Sequence, residues 1–328
     1  MKAIQIQDHG SVDVLEYRDV PLPALKKGQV LVKIKAASVN FSDTMLRSGN
    51  MPPNMMPKLP IILGVEGSGI IEDSNETFLQ KGNKVAFLGL LGSSVYAEYV
   101  AIDADKLIVL NEDINLYEAA VIPVNYFTAY HMLKNVVNAE AGKIALIYAA
   151  SGGVGTALIQ IAKLLGLKVV ALERREEKLA IALSQGADYA YNTSNKDWKK
   201  NLINDIGKDR INYVFNPVAG DSIVNDLDLL ATLGHIVVFG LLGGLGNLNL
   251  LQEAVNNFHK APTISFSEIY ATYNNDYSVV KNALNQLYKW LNEGKIKPKY
   301  ETMPLSHARK AHEKLENGQV QGKLLLTI

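Results

Sequence analysis

Six consecutive positions, 150–155, have the residue types and spacing to hold a phosphate. They read Ala-Ser-Gly-Gly-Val-Gly, a run of small residues that keeps a turn tight and lets backbone amides approach an anion. The apolar run 144–149 precedes them. An amphipathic stretch follows, with Val154, Leu158, Ile161, Ala162 and Leu165 on one face, and then a second apolar run, 169–172. Strand, glycine turn, helix, strand is the context in which such a loop binds a dinucleotide. The expected contacts are Ala150, Gly152, Gly153, Val154 and Gly155. Unpaired N–H groups and the partial positive charge of the helix start would receive the pyrophosphate, and Gly155 would let the helix pack closely. The fingerprint's first glycine is Ala150 here.

The elements that must position this loop repeat its rhythm. A helix is predicted over 176–185, stopped by Gly186, and strands over 189–191, 213–215 and 236–239. Further helices are predicted over 198–206, ended by Gly207, and over 222–233, ended by Gly234. Strands alternating with helices of about 10–12 residues imply an α/β, doubly wound parallel sheet, a Rossmann domain. Ligands on such sheets bind beyond the carboxyl ends of the strands. That adds Asn216, at the head of 216–220, and Gly240 and Leu241, at the head of 240–244, to the expected cofactor contacts.

The first third differs in kind. Short strand-like runs at 3–7, 15–19, 30–36, 69–71, 84–87, 97–100 and 107–110 are separated by Gly, Pro, Asn and Asp turns, which suggests a β-rich, barrel-like domain. The tail returns to helix at 277–293 and 306–316 and closes with a strand over 323–328. A terminal strand of this kind rejoins a sheet begun elsewhere. The plan is a Rossmann domain, 123–263, inserted into a β-rich domain made of 1–122 with 264–328, with the expected active site in the cleft between them.

Composition narrows the function classes. Of 328 residues, 48% are hydrophobic and 20% charged, ordinary for a globular protein. Lys plus Arg and Asp plus Glu are 33 each, so the formal net charge is zero, which argues against a nucleic-acid or anionic-membrane partner. No apolar run approaches the ~18 residues of a membrane span. The first residues, MKAIQIQDHGSVDV, contain no secretory signal, and the expected location is cytoplasmic. The absence of cysteine rules out disulfides and thiolate zinc sites. The histidines form no HxH or HExxH pair; His307 and His312, in a Lys/Arg-rich helix, read as solvated surface residues. No GxSxG elbow supports nucleophilic hydrolysis.

Several segments resemble the zinc-independent quinone oxidoreductase (zeta-crystallin-like) branch of the medium-chain dehydrogenase/reductase superfamily over essentially the whole chain. They are ASVNFSDTMLRSG (37–49), LPIILGVEGSGII (59–71), KGNKVA (81–86), PVNYFTAYHML (123–133), AASGGVGTALIQIAKLLG (149–166) and GKLLL (322–326). The resemblance implies a GroES-like catalytic domain beside the Rossmann domain. Asn40 stands where the zinc-dependent alcohol dehydrogenases have a zinc-binding cysteine, and Val65 where they have the histidine of their GHE motif. Without that Lewis acid, the acceptor must take hydride unaided, as a quinone or an alkene conjugated to a carbonyl does.

The resemblance then implies a site in which the nicotinamide C4 hydride passes to an electron-poor carbon while the protein donates a hydrogen bond to the carbonyl oxygen. Tyr126 and Asn40 are the expected catalytic donors; Asn40 also borders the cofactor, Thr128 its carboxamide, and Lys323 is a further cofactor contact. Asp43 is read as a residue that caps or braces its loop. Several relatives have a tyrosine in the segment that is Thr44-Met45-Leu46 here, and Met45 cannot donate a hydrogen bond.

Cofactor choice turns on Glu173-Arg174-Arg175-Glu176-Glu177-Lys178. Glu173 is placed to bind the ribose hydroxyls of NAD. Arg174 and Arg175 come next, and the resemblance matches Lys178 to a lysine that binds the 2′-phosphate in NADP-dependent relatives, so NADP(H) is favoured over NAD(H). The leading function is an NADPH-dependent reductase of quinones or α,β-unsaturated carbonyls, and the resemblance implies a homodimer, with the edge segment 263–266 as its expected joint. The alternatives are a trans-2-enoyl thioester reductase and a non-catalytic, crystallin-like NADPH-binding protein.

Overall fold

The strand Gln29–Val39 is the spine of the first of two units. Its side chains alternate in the segment from Val32 to Ala36, with Val32, Ile34 and Ala36 buried and Lys33 and Lys35 exposed. A computed structural model describes residues 1–75, 77–247 and 249–328. The first unit is Met1–Phe127 with Tyr277–Ile328 and the second is Thr128–Asp276.

In the first unit a seven-stranded sheet runs Tyr300–Pro304, Lys323–Thr327, Gln29–Val39, Glu66–Ser74, Lys84–Leu88 and Leu107–Val109, with Tyr99–Asp103 also on Gln29–Val39. The closing strand therefore does rejoin a sheet begun near the N-terminus. It pairs antiparallel with the spine, Leu324 opposite Val39 and Leu325 opposite Ser38. On the spine's other side, Gly67 lies opposite Ala37. Ile4, Ile34, Leu63, Phe87 and Leu326 are among the apolar residues that fill the core beneath. The pairing beginning at Tyr99, rather than at residue 97, and the strand Tyr300–Pro304 were not apparent in the sequence.

The second unit carries six parallel strands in the order Tyr189–Asn192, Lys168–Glu173, Ile144–Tyr148, Ile211–Asn216, Leu230–Val238, Thr263–Phe266. Strands continue outward in one direction from Ile144–Tyr148 and then restart beside it with Ile211–Asn216. This is the order of a Rossmann sheet, and its switch point lies between those two strands. The boundary between the units falls later than the break at 263/264 expected from the sequence, because Thr263–Phe266 pairs with Leu230–Val238.

One helix ends earlier than its apolar pattern suggests. The predicted helix 222–233 is Ser222–Leu229, and Leu230 already opens the next strand. The cause lies outside the segment. The buried ammonium of Lys260 donates to the carbonyls of Leu227 and Asp228, both at 2.9 Å, and pairs with Asp209 at 2.7 Å. A cation at the helix end satisfies carbonyls that another turn would have used. Residues 231–234 then bulge from the ladder, with Leu233 in the left-handed region at φ 60°. Among the described residues no helix is long and apolar enough to cross a membrane.

Candidate functional site

The glycine loop leaves Ile144–Tyr148 and enters the helix Gly153–Leu164, whose N-cap is Gly152. A Cβ on Gly155 would lie 2.3 Å from the Ala149 carbonyl oxygen and 2.6 Å from Ala150 Cα, so only glycine fits there. Ala150 is fully buried under the turn. Glu173, at the end of the neighbouring strand, is buried and accepts the Ser151 N–H at 2.5 Å. Its carboxylate braces the loop from beneath. Arg174 and Arg175 are exposed and Lys178 is half-buried on the short turn beyond.

Across the switch point, Asn216 is fully buried and has its whole amide in use. Its Oδ1 accepts the N–H groups of Val218 (2.7 Å) and Ala219 (3.0 Å), and its Nδ2 donates to Ser222 (2.9 Å) and Asp226 (2.6 Å). Asn216 thus shapes the loop after its strand. Asp226 also accepts from the Tyr148 hydroxyl at 2.7 Å, and burial pushes its carboxyl up to about 7. Gly240 packs against Pro217, where a Cβ would lie 2.9 Å from the carbonyl oxygen, and Leu241 is 54% exposed.

In the first unit, three distant segments bring charge into the interior. Asn40 follows the last residue of the spine; Lys323 begins the strand on one side of the spine and Glu66 the strand on the other. Lys323 Nζ lies 2.7 Å from Glu66 Oε1 and donates to Asn40 Oδ1 at 2.5 Å and Asn125 Oδ1 at 3.2 Å. Three acceptors use all three ammonium hydrogens. The delivery of Lys323 depends on Gly322, at φ +69°, where a Cβ would meet the Lys299 carbonyl oxygen at 2.2 Å. Glu66 Oε2 accepts the Val124 N–H at 2.7 Å. Burial raises the Glu66 carboxyl above its usual range, opposed by the charge of Lys323.

Asn40 has no donor to spare. Its Nδ2 is given to Glu66 Oε1 at 3.0 Å and, more weakly, to the Ser38 carbonyl at 3.5 Å. Its backbone N–H goes to Asp43 Oδ2 at 2.8 Å, so Asp43 braces the start of the helix Phe41–Ser48 as expected. Asp43 is fully buried, and burial pushes its carboxyl up to about 6. The Tyr96 hydroxyl donates to the same oxygen at 3.0 Å and lies 3.4 Å from His312 Nε2.

His312 corrects the reading of it as a surface residue: it is fully buried, with its ring edge-on to Tyr96. Burial and the nearby Arg47 charge lower its pKa to about 3. His307 is exposed. Tyr126 and Thr128 are both buried, Tyr126 in the π-helical turn Ile122–Tyr126. Sequence reasoning passed over Glu66 and Asn125 as functional residues. The signal for Asn125 is its place beside Tyr126 in the PVNY run, and for Glu66 its place after the residue that replaces a metal ligand.

Comparisons agree with this arrangement. The family model described as alcohol dehydrogenase GroES-like domain matches residues 26–112, and that described as zinc-binding dehydrogenase matches residues 153–282. The chain is 32% identical to the quinone oxidoreductase of Sus scrofa, over 100% of this chain and 98% of that one. It is 30% identical to quinone oxidoreductase 1 of Escherichia coli K12, over 98% of each. It superposes on the crystal structure of Escherichia coli quinone oxidoreductase complexed with NADPH with a TM-score of 0.91 at 28% identity, over 100% of both chains. A mycobacterial structure complexed with NADPH gives 0.89 at 25% identity, again over 100% of both.

The NADPH of the two solved structures and the zinc of the family model's description fare differently here. A dinucleotide fits the second unit, where the missing side chain of Gly155 lets the start of the helix Gly153–Leu164 pack directly on the loop backbone at Ala149 and Ala150. Zinc does not fit the residues at Asn40. The chain has no thiolate to offer, Val65 is apolar, and the Lys323 ammonium already holds the Asn40 and Glu66 oxygens. Among the described residues, no three His, Cys, Asp or Glu side chains group as metal ligands.

Proposed function

Since the chain belongs to the quinone oxidoreductase branch of the medium-chain dehydrogenase/reductase superfamily and is thereby an NAD(P)H-dependent oxidoreductase, we propose that it uses NADPH to reduce quinones or α,β-unsaturated carbonyls without a metal. The observation that carries this reading is the Lys323 ammonium fixed against Asn40 and Glu66. An ammonium in that position repels a metal cation, so the acceptor has to be electrophilic on its own account.

Bound at the glycine loop, NADPH would supply the hydride. Gly153, Val154 and Gly155 would present backbone N–H groups and the helix N-terminus to its pyrophosphate, while Gly152, whose N–H goes to the Ala149 carbonyl at 3.0 Å, closes the turn. Ala150 and Glu173 hold the loop in shape. Because Glu173 is engaged with the Ser151 amide, the 2′ position is left to Arg174, Arg175 and Lys178, which favours a 2′-phosphate. Tyr126 and Thr128 are assigned to the nicotinamide end on the family resemblance.

We assign the assembly to a homodimer through Thr263–Phe266. That strand ends the parallel sheet, and Phe266 and nearby Phe258 are 71% and 78% exposed. Sedimentation velocity would return a single monomeric species if this assignment is wrong.

Steady-state NADPH oxidation, with EDTA present, against a 1,4-quinone and a matched 2-alkenal tests the function. Turnover of either acceptor, unaffected by EDTA and slower with NADH, supports it. Tight NADPH binding with no turnover of either acceptor shifts the reading to an enoyl thioester substrate or a non-catalytic role.

A further inference from the structure

The buried amide nitrogen of Asn125 has no hydrogen-bond partner. Asn125 itself is 4% exposed. Its orientation is not arbitrary, although amide oxygen and nitrogen are near-isosteric. The Lys323 ammonium lies 3.2 Å from one end of the amide and can only donate. That end is therefore oxygen, because the flipped amide would set donor against donor. The nitrogen is fixed on the far side, directed away from the ammonium. The surrounding backbone is unusual as well: Ile122–Tyr126 is a π-helical turn, a form concentrated at functional sites.

The same cluster removes the competing donor. Asn40 has given its Nδ2 to Glu66 and its Oδ1 to Lys323. Of the two carboxamides gripped by Lys323, only Asn125 keeps an N–H free for anything else. Its oxygen is already polarised by a cation, which makes that N–H a stronger donor.

We propose that Asn125 Nδ2 is the hydrogen-bond donor to the carbonyl oxygen of the hydride acceptor, with Lys323 as its positioning residue. The proposal rests on the reductase reading given above and specifies its substrate class: acceptors must carry an oxygen conjugated to the carbon that receives hydride. When the β-carbon of an enone gains hydride, the C=C electron pair moves onto the carbonyl oxygen. The enolate then takes one proton from solvent, and the dinucleotide leaves oxidised. Asn125 donates to that oxygen as its charge grows, in the geometry expected of an oxyanion donor.

Asn125→Asp separates this role from a structural one. It keeps an oxygen on Lys323 and the size of the side chain, but replaces the donor with a second acceptor. With a 1,4-quinone and a 2-alkenal, the variant is expected to lose about 100-fold in kcat. The NADPH dissociation constant, read by cofactor fluorescence, should stay within about twofold, and the isotope effect from 4-deuterated NADPH should rise as hydride transfer becomes limiting. Asn125→Ala should behave alike. Isotope-edited infrared spectra of a carbonyl-labelled enone bound with NADP+ give a readout independent of turnover. The carbonyl stretch should lie at lower frequency in the wild type than in either variant. An active wild type with unchanged kcat and carbonyl frequency in both variants overturns the proposal alone. A tenfold loss of NADPH affinity with unchanged kcat does the same, by assigning the donor to the cofactor. A wild type silent on both acceptors overturns the proposal together with the reading beneath it.

Discussion

Lys323 Nζ and Glu66 Oε1 stand 2.7 Å apart with both side chains withdrawn from water, at 5% and 0% exposure. A pair this deep gains attraction in a weak dielectric but has lost two hydration shells. What makes it tolerable is that its remaining hydrogens and lone pairs are taken up by Asn40, Asn125 and the Val124 N–H.

Lys323→Met should therefore destabilise the first unit by about 3–5 kcal/mol, since it leaves a buried carboxylate without its cation. Adding Glu66→Gln should recover a large part of the loss. Urea denaturation of the two single variants and the double variant measures the coupling, and strictly additive effects would contradict it.

Asp226 sets a pH dependence in the second unit. Its folded pKa is raised from 3.8 to about 7, so between about pH 4 and 7 the folded chain keeps a proton that the unfolded chain has lost. Stability contributed by this group is complete below pH 4 and falls as pH rises through that window, by an amount on the order of 4 kcal/mol. Asp226→Asn should flatten that slope, leaving a smaller one from Asp43, raised to about 6. Tm followed from pH 4 to 8 in both proteins is the check.

His312 acts in the opposite direction. Its folded pKa is lowered to about 3, so from about pH 6.5 down to 3 the unfolded chain takes up a proton that the folded chain refuses. Stability is lost as pH falls through that range. His312→Gln should reduce the acid sensitivity of Tm between pH 3 and 6.5 while leaving the region above pH 7 parallel to wild type.

Gly155→Ala places a methyl group 2.3 Å from the Ala149 carbonyl oxygen. Either the helix withdraws from the loop or the loop opens, and in both cases the backbone donors move off the pyrophosphate. NADPH affinity should fall roughly tenfold or more, about 1.4 kcal/mol. Unchanged fluorescence titrations would show that the helix start does not hold the phosphates.

How far the sequence could be read depended on how local each feature is. The segment around Ala150–Gly155 is legible because its strand, turn and helix are contiguous, and the parallel sheet follows from the same alternation. The Lys323, Glu66, Asn40 and Asn125 cluster is not legible in this way. Only strand register brings these residues together, and no periodicity encodes which of two asparagines keeps a free N–H. His312 was misread because its helix, Ala308–Glu316, is crowded with charge. The buried stripe is carried by small residues, Ala308 and Ala311, which give a faint apolar signal. The early end of Ser222–Leu229 is set by Lys260, about thirty residues downstream, beyond the reach of any local window.

Lys323 meets Asn40 across a separation of 283 residues, and the whole second unit lies within that span. During synthesis the two units are therefore unequal. Thr128–Asp276 is continuous in sequence, whereas the spine has Asn40 and Glu66 without their Lys323 partner until the strand Lys323–Thr327 has been made. The charged cluster therefore cannot close until Lys323 has been added, after every residue of Thr128–Asp276 has been made.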